Sequence, residues 1–176
     1  MSAGFVIRPA APGDAEALVD LARAVASEAE GWLLASDGWR SAGDERRYLR
    51  ALRRDADAAV IVAEAPDGIV GRLSVARDAH PASRHVADLG LMVARERRRE
   101  GIGTALLDAA VAWARRAGVE KLELHVLPHN APAIALYERF GFEREGYRRR
   151  HYRRTDGVYV DAILMAYVVH GSRSAV

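Results

Sequence analysis

HVADLGLMVARERRREGIGTALL, residues 85 to 107, decides how the rest of this chain is arranged. From His85 to Val93 nearly every position is apolar, as in a strand buried on both faces. A basic loop follows, and Gly101 and Gly103 then open an amphipathic helix. Glycines let backbone N–H groups come close to an anion and adopt positive φ. A helix starting near Ile102 aims its unpaired N–H groups and the positive end of its dipole at the same point. Arg95, Arg97, Arg98 and Arg99 offer charge-assisted hydrogen bonds. The junction therefore reads as a phosphate cradle, and the bland alternative is a tight turn with solvated charges.

Working back toward the N-terminus, Phe5 to Arg8 reads as a short strand closed by Pro9 and the Pro12-Gly13 turn. Asp14 is a good N-cap for a helix running to about Ala29, with Ala17, Leu18, Leu21, Ala22 and Val25 on one face. The next stretch, EGWLLASDGWRSAG (30 to 43), loses that periodicity yet is unusually apolar for a connection. Trp32, Leu33, Leu34 and Trp39 are expected either to plug the core edge or to wall a substrate pocket. Asp44 is expected to open a second helix with Tyr48, Leu49 and Leu52 inward. Ala58 to Ala65 and Ile69 to Ala76 read as a hairpin around Pro66-Asp67-Gly68.

Beyond the glycine loop, a helix with Ile102, Ala105, Leu106, Ala109, Ala112 and Trp113 inward should stop at Gly118. Val119 to Leu127 alternates as a strand, with Glu123 and His125 on its polar face. Asn130 caps a short helix that tolerates Pro132 in its first turn and ends at Gly141. The tail turns at Asp156-Gly157 as a final hairpin. Strand, two helices, three strands, helix, strand, helix and hairpin make an α+β (mixed α/β) single domain, residues 1 to 176, with a mostly antiparallel sheet.

Size permits a full core, and half the residues are apolar and 28% charged, ordinary for a globular protein. The net charge is +2, and all but one of the 26 basic residues is Arg. That skew is as consistent with genomic bias as with function, so it gives no nucleic-acid signal. The absence of cysteine excludes disulfides, thiolate nucleophiles and Cys-ligated metals. MSAGFVIRPA has no leader pattern and no apolar run approaches a membrane span, so a cytoplasmic protein without membrane partners is expected.

Rival chemistries fare poorly. A triphosphate-binding loop needs Lys followed by Ser or Thr after the second glycine, and Gly103-Thr104 offers no Lys. A dinucleotide fingerprint wants a third glycine where Leu106 stands, although Glu123 is suitably placed for a ribose. His125 and His129 have metal-pair spacing, but a strand does not bring i and i+4 together with a following loop residue, so no metal is expected. The Arg-rich stretch Arg144 to Arg154 reads as the solvated face of an edge hairpin, where charge discourages aggregation.

Two stretches together resemble the signatures of the GNAT acyl-CoA-dependent N-acetyltransferases. Arg98-Arg99-Glu100-Gly101-Ile102-Gly103 is similar to the pyrophosphate-binding signature. Asn130 to Phe142, NAPAIALYERFGF, is similar to the second, and the two stand in the family's order about thirty residues apart. HVADLG at 85 to 90 and DGVYVD at 156 to 161 look most like the branch containing bacterial L-amino-acid N-acetyltransferases. The resemblance spans nearly the whole chain and thins over residues 28 to 45.

The resemblance implies a sheet of about seven strands, splayed at the cofactor cleft and flanked by helices, with acetyl-CoA as co-substrate. Leu91, Met92 and Val93 would pair with pantetheine. Arg98, Arg99, Glu100, Gly101, Ile102, Gly103 and Thr104 would meet the diphosphate, with Asn130, Ala133 and Tyr137 completing the cofactor site. A backbone N–H near Met92 or Val93 would polarise the thioester carbonyl, and Tyr137 would act as general acid toward the leaving thiolate. Glu100 should face solvent or pair with an arginine, because an acid aimed at the diphosphate would weaken binding. The base stays open between Asp88 and His85, or a water relay. Some relatives carry a carboxylate on what would here be the His85 and Ala87 face, which has none.

The function implied is direct acetyl transfer to a primary amine of a small molecule, an amino acid or related amine, with Trp32 and Trp39 favouring an apolar side chain. The alternatives are a protein N-terminal or lysine acetyltransferase and a non-catalytic CoA-binding module. Relatives are often dimers, so a homodimer is implied by analogy.

Overall fold

The computed structural model describes residues 4–33 and 39–169, so Leu34 lies outside the described residues. The elements run β1 (Val6–Pro9), α1 (Ala15–Ala26), α2 (Ala42–Leu52), β2 (Ala58–Ala65), β3 (Gly68–Arg77), β4 (Val86–Val93), α3 (Ile102–Ala117), β5 (Lys121–Val126), α4 (Ala131–Phe140), β6 (Glu143–Arg153) and β7 (Tyr159–Val168). The strands form one sheet in the order β1-β2-β3-β4-β5-β7-β6. Every neighbouring pair is antiparallel except β4 and β5. This is the mixed α/β architecture expected from the element order. Among the described residues no helix is long and apolar enough to cross a membrane.

The central strands are covered on both faces, which is why they read as continuous apolar runs. On one face Leu73, Val75, Ala87 and Leu89 pack with Ile102, Leu106 and Leu107 of α3 and Ile134 and Tyr137 of α4. On the other, Leu18 and Leu49 close over Val60 and Val62, and Leu21, Ala22 and Val25 meet Met92. Within that second layer the fully buried Glu45 lies 3.6 Å from the buried Arg72, with Arg40 at 3.4 Å on its outer side. Sequence periodicity gave no hint of this pair, which joins α2 to β3. Removing either partner would leave the other charge uncompensated.

Local details depart from the sequence expectations for identifiable reasons. Asp14 does not cap α1 with its side chain. Its carboxylate takes the Ala11 N–H at 2.7 Å and pairs with Arg8, stabilising a 3₁₀ turn at Pro12–Asp14 instead. The helix ends at Ala26 rather than Ala29, and the Ser27 hydroxyl donates to the Ala24 carbonyl at 2.8 Å. Ser41, not Asp44, starts α2, accepting the Asp44 N–H at 3.1 Å. The buried face of α3 includes Leu107, Ala110, Val111 and Ala114, and the alanines at 105, 109 and 112 sit at its margins. An alanine-rich helix offers little contrast between faces, so its orientation was weakly specified by pattern alone.

The feature that makes a site is the brevity of the parallel contact. β4 and β5 pair only at Val86↔Lys121, Ala87↔Leu122 and Asp88↔Glu123. β5 then continues along β7 as far as Val126↔Ile163, while β4 stays with β3. From Leu89 onward the β5-facing edge of β4 has no strand partner. The Asp78 N–H bonds the Val86 carbonyl and the Ala94 N–H bonds the Val70 carbonyl, with unbroken register between them. Even-numbered residues of β4 therefore turn their backbone toward β3, and Leu89, Leu91 and Val93 turn theirs into the gap.

Gly71, opposite Val93, lets the start of α3 lie flat on the sheet. A Cβ there would come within 2.9 Å of Ile102, 3.0 Å of Leu106 and 3.2 Å of the Ala63 Cβ. Gly71→Val is expected to lower stability by about 1–3 kcal/mol, measured by urea denaturation at equilibrium. Unchanged stability would show that α3 does not bear on β3 this closely.

Candidate active site

At the end of β4 the chain makes a 3₁₀ turn at Arg95–Arg97 and enters α3 through Arg99 and Gly101, both at positive φ (67° and 86°). Three of the four arginines serve the scaffold. Arg98 donates Nε to the Val93 carbonyl at 3.1 Å and makes a bidentate pair with Glu28 at 2.8 and 2.6 Å. Arg97 pairs with Asp67 and Glu100, and Arg95 with Glu30. Glu28, Glu30 and Asp67 are remote in sequence, so only the fold reveals that this charge is spoken for. Arg99 alone has no acidic partner among the described residues. Gly101 to Thr104 bring unpaired first-turn N–H groups, the first helical bond running from the Ala105 N–H to the Gly101 carbonyl at 3.0 Å.

A cavity of about 750 Å³ runs from this loop along the free edge of β4. It is lined by Leu91 to Val93, Arg98, Arg99, Gly101 to Thr104, Asn130, Ala133 and Tyr137. Of the cofactor positions expected from sequence, only Glu100 stands outside it, paired with Arg97 at 3.0 Å. Met92 contributes to the wall, but its backbone belongs to β3, which leaves the N–H groups of Leu91 and Val93 as the donors facing the gap. The Asn130 side-chain oxygen is used in capping α4 through the Ala133 N–H at 3.2 Å, which leaves its amide NH₂ for other partners. Tyr137 is nearly fully buried beside Phe142, and burial pushes its phenol pKa well above the ordinary value. Gly103 lets α3 approach α4, since a Cβ would stand 2.8 Å from Leu136. The dimensions, the unpaired backbone edge and the lone Arg99 beside a helix N-terminus suit a long ligand with a phosphate group at one end.

The two candidate bases separate clearly. His85 is exposed just ahead of β4, at the far end of the strand from the glycine loop, with its carbonyl bonded to the N–H groups of Glu120 and Lys121. The face it was expected to share is closed, because Ala87 and Leu89 are packed in the core against the α3 layer. Asp88 points the other way and occupies the last paired position before the strands part. Its side chain is 67% solvent-accessible, with His125 Nδ1 at 3.9 Å and the charges of Glu123 and Arg148 acting on it. Partial burial of the carboxyl and then the negative charge of Glu123 raise its pKa to about 6, against the opposing pull of Arg148. Glu123 is itself held by Lys121 at 2.8 Å.

The sequence model of the acetyltransferase (GNAT) family matches residues 21–142, more than half of the chain. This chain belongs to that family. It is 37% identical over 104 residues to the L-amino acid N-acetyltransferase AaaT of Escherichia coli K12, an alignment covering 57% of this chain and 62% of that protein. The chain thus spans less than two thirds of the length of that curated relative. Among solved structures, a GNAT-family acetyltransferase from Streptococcus pneumoniae superposes with a TM-score of 0.83 at 28% identity, over 93% of this chain and 99% of the other. The yncA protein of Salmonella typhimurium, solved with its cofactor acetyl-CoA, shares the fold at a TM-score of 0.81 and 21% identity, over 98% and 97% of the two chains.

The two tryptophans occupy different places in this GNAT fold. Trp32 lines the cavity and stacks on His129, with ring centroids 5.9 Å apart. The backbone around it is tied down: the Glu30 carbonyl meets His129 Nε2 at 3.0 Å, and Arg154 reaches the Gly31 carbonyl at 3.4 Å. Trp39 instead lies against the Arg72 guanidinium, 5.0 Å away, and packs on the α1 layer. Leu33 also lines the cavity, one of the two places expected for it, whereas sequence reasoning missed Val25 and Arg139 on the wall. It also missed His125, whose neighbour Asp88 comes from another strand. No group of three or more potential metal ligands occurs among the described residues.

The raised pKa of Asp88 has a definite sign in stability. Between its unfolded value near 3.8 and about 6 the folded chain binds more protons than the unfolded one, so this residue's contribution falls as pH rises through that window. Asp88→Asn is therefore expected to raise Tm relative to the parent at pH 8 and to leave it nearly unchanged at pH 3.5, by calorimetry. A lower Tm at pH 8 would contradict the assignment.

Proposed function

We propose that this GNAT chain is an acetyl-CoA-dependent N-acetyltransferase that transfers acetyl directly to the primary amine of a small molecule, an amino acid or a related amine. The reading is carried by one observation: the unpaired edge of β4 joins Asp88 at one end to the glycine loop at the other, with Tyr137 on the same cavity wall.

Bound there, acetyl-CoA supplies an acetyl group activated as a thioester. Backbone groups of Leu89, Leu91 and Val93 hold the extended pantetheine arm, and a Leu91 or Val93 N–H polarises the thioester carbonyl. The N–H groups of Gly101 to Thr104 and the Arg99 guanidinium take the diphosphate. Asp88, ionised at neutral pH, accepts the proton that an ammonium must lose before it can attack. Tyr137 stays protonated because it is buried, and donates its O–H to the sulfur as negative charge leaves the acetyl group. The same dry surroundings raise the thiolate's own pKa, which narrows the gap the proton must cross.

A small acceptor is favoured by the segment from Glu28 to Leu33, tied across the cleft through Arg98, Arg95, His129 and Arg154. A long peptide would have to displace it. Trp32 offers an apolar surface to the acceptor's side chain, as the 37% identity to an L-amino acid N-acetyltransferase also suggests.

Thiol release from acetyl-CoA, measured with a panel of amino acids, polyamines and short peptides, is the direct test. Turnover should be highest with amino acids, and Tyr137→Phe should lower kcat about 10²-fold with little change in KM for acetyl-CoA. Faster turnover with peptide N-termini would move the acceptor class to proteins. Binding of acetyl-CoA without turnover of any amine would leave a non-catalytic CoA-binding module.

Arg99→Ala is expected to raise the Kd for acetyl-CoA about tenfold, the size of one charge-assisted hydrogen bond. It should also flatten the salt dependence of binding, read by calorimetric titration. An unchanged Kd would remove Arg99 from the phosphate site.

A further inference from the structure

On the side of the sheet that Asp88 faces, β4, β5 and β6 gather a cluster of ionisable groups that the proposed reaction uses only in part. His125 lies two residues beyond Glu123, where β5 has already left β4 for β7. Its Nδ1 stands 3.9 Å from an Asp88 carboxylate oxygen. The ring is gripped on other sides, stacked on His151 at 5.0 Å between centroids and met edge-on by Tyr152 at 6.2 Å. Its Nε2 is buried and has no hydrogen-bond partner. A neutral imidazole carries one N–H, and the acceptor within reach is Asp88, so the tautomer protonated at Nδ1 is the one the surroundings favour.

We infer that His125 is a positioning residue for the base: it presents Nδ1–H to Asp88 and holds that carboxylate toward the acceptor amine. The inference rests on acetyl transfer with Asp88 as base. The gap is about one ångström longer than a hydrogen bond, of the kind that closes when a ligand completes the site. His125 moves no proton itself. The amine's proton passes to the Asp88 carboxylate as the nitrogen takes up the acetyl group, and the imidazole N–H stays on its ring throughout.

The neighbours explain why an imidazole suits this place better than a cation. Around the pair stand Glu123, held by Lys121 on β5, and Arg148, His151 and Tyr152 on β6. β7 and β3 contribute the apolar residues Leu164, opposite His125, and Ala76, opposite Asp88. Burial, then Arg148 and His151, hold the His125 pKa below its ordinary value, with Glu123 opposing. That shift favours the uncharged imidazole beside the Asp88 carboxylate. A fixed positive charge in its place would pull the carboxylate's pKa down and weaken it as a base.

The test uses the full chain with its best small acceptor, comparing His125→Ala, His125→Asn, His125→Lys and Asp88→Asn. The readouts are kcat, KM for acetyl-CoA and the acid limb of kcat/KM for the amine. His125→Ala should lower kcat about tenfold at unchanged KM for acetyl-CoA, and His125→Asn, whose amide nitrogen replaces Nδ1, should restore most of it. His125→Lys should move the acid limb to lower pH. If His125→Ala keeps wild-type kcat and acid limb while Asp88→Asn loses turnover, the inference is wrong and acetyl transfer stands. If Asp88→Asn keeps full turnover, the assignment of the base falls and this inference with it. Should His125→Ala fail to fold, as seen by circular dichroism, the Asn and Lys variants decide: equal kcat and equal acid limbs overturn the inference.

Discussion

β4 and β5 run parallel for three paired residues and then part, and the other features of the site follow from that parting. A parallel pair needs a crossover, which α3 supplies. The helix therefore begins where β4 ends, next to the strand edge that loses its partner. An unpaired edge inside a protein costs free energy unless something meets its N–H and C=O groups. Here the backbone of Leu89 and Leu91 and the N–H of Val93 are kept available by their register against β3, and the helix N-terminus stands at the end of the same line. Extended backbone followed by a cluster of N–H donors matches a ligand that is itself an amide-bearing chain ending in phosphate.

The arginines of the loop divide the work in a way that their sequence adjacency conceals. Arg98 joins the Val93 carbonyl to Glu28, a carboxylate almost inaccessible to solvent at the end of α1. Charge-assisted bidentate bonds of this kind are among the stronger ones a protein makes. They tie the glycine loop to the segment that carries Trp32, so the two ends of the cleft are mechanically linked. Arg95 and Arg97 reinforce the link and the neighbouring hairpin. Of the loop arginines, Arg99 is left without an acidic partner among the described residues, and its backbone is left-handed.

Much of this was legible in the sequence, and the illegible parts share a cause. Element order, the Gly118 and Gly141 stops and the Asn130 cap all depend on residues near one another in the chain, and the structure has them as expected. The cavity wall from Leu91 to Thr104 was also readable, because a strand, a loop and a helix start are contiguous. What failed was either a local competition between neighbouring polar side chains or a meeting across the fold. Ser41 outcompeted Asp44 as a cap, Glu45 and Arg72 met in the core, and Glu28 claimed Arg98. The parity of β4 is the sharpest case. Alternation correctly separated Asp88 from Ala87, but only the packing of α3 shows which face is core and which is open.

That parity also accounts for the chemistry open to the two ends of the cleft. Asp88 and Tyr137 are both shifted upward by burial, yet the same physical cause leaves them in opposite states at neutral pH. A carboxyl raised to about 6 is still mostly ionised there, and a phenol raised from its ordinary value is wholly protonated. In the proposed reaction the proton acceptor and the proton donor therefore stand on opposite sides of the parted strands. Glu123, pinned by Lys121, is the carboxylate nearest to competing for the first role, and its charge instead helps to raise Asp88. Two upward shifts leave the groups in opposite protonation states, because their starting pKa values lie on either side of neutrality.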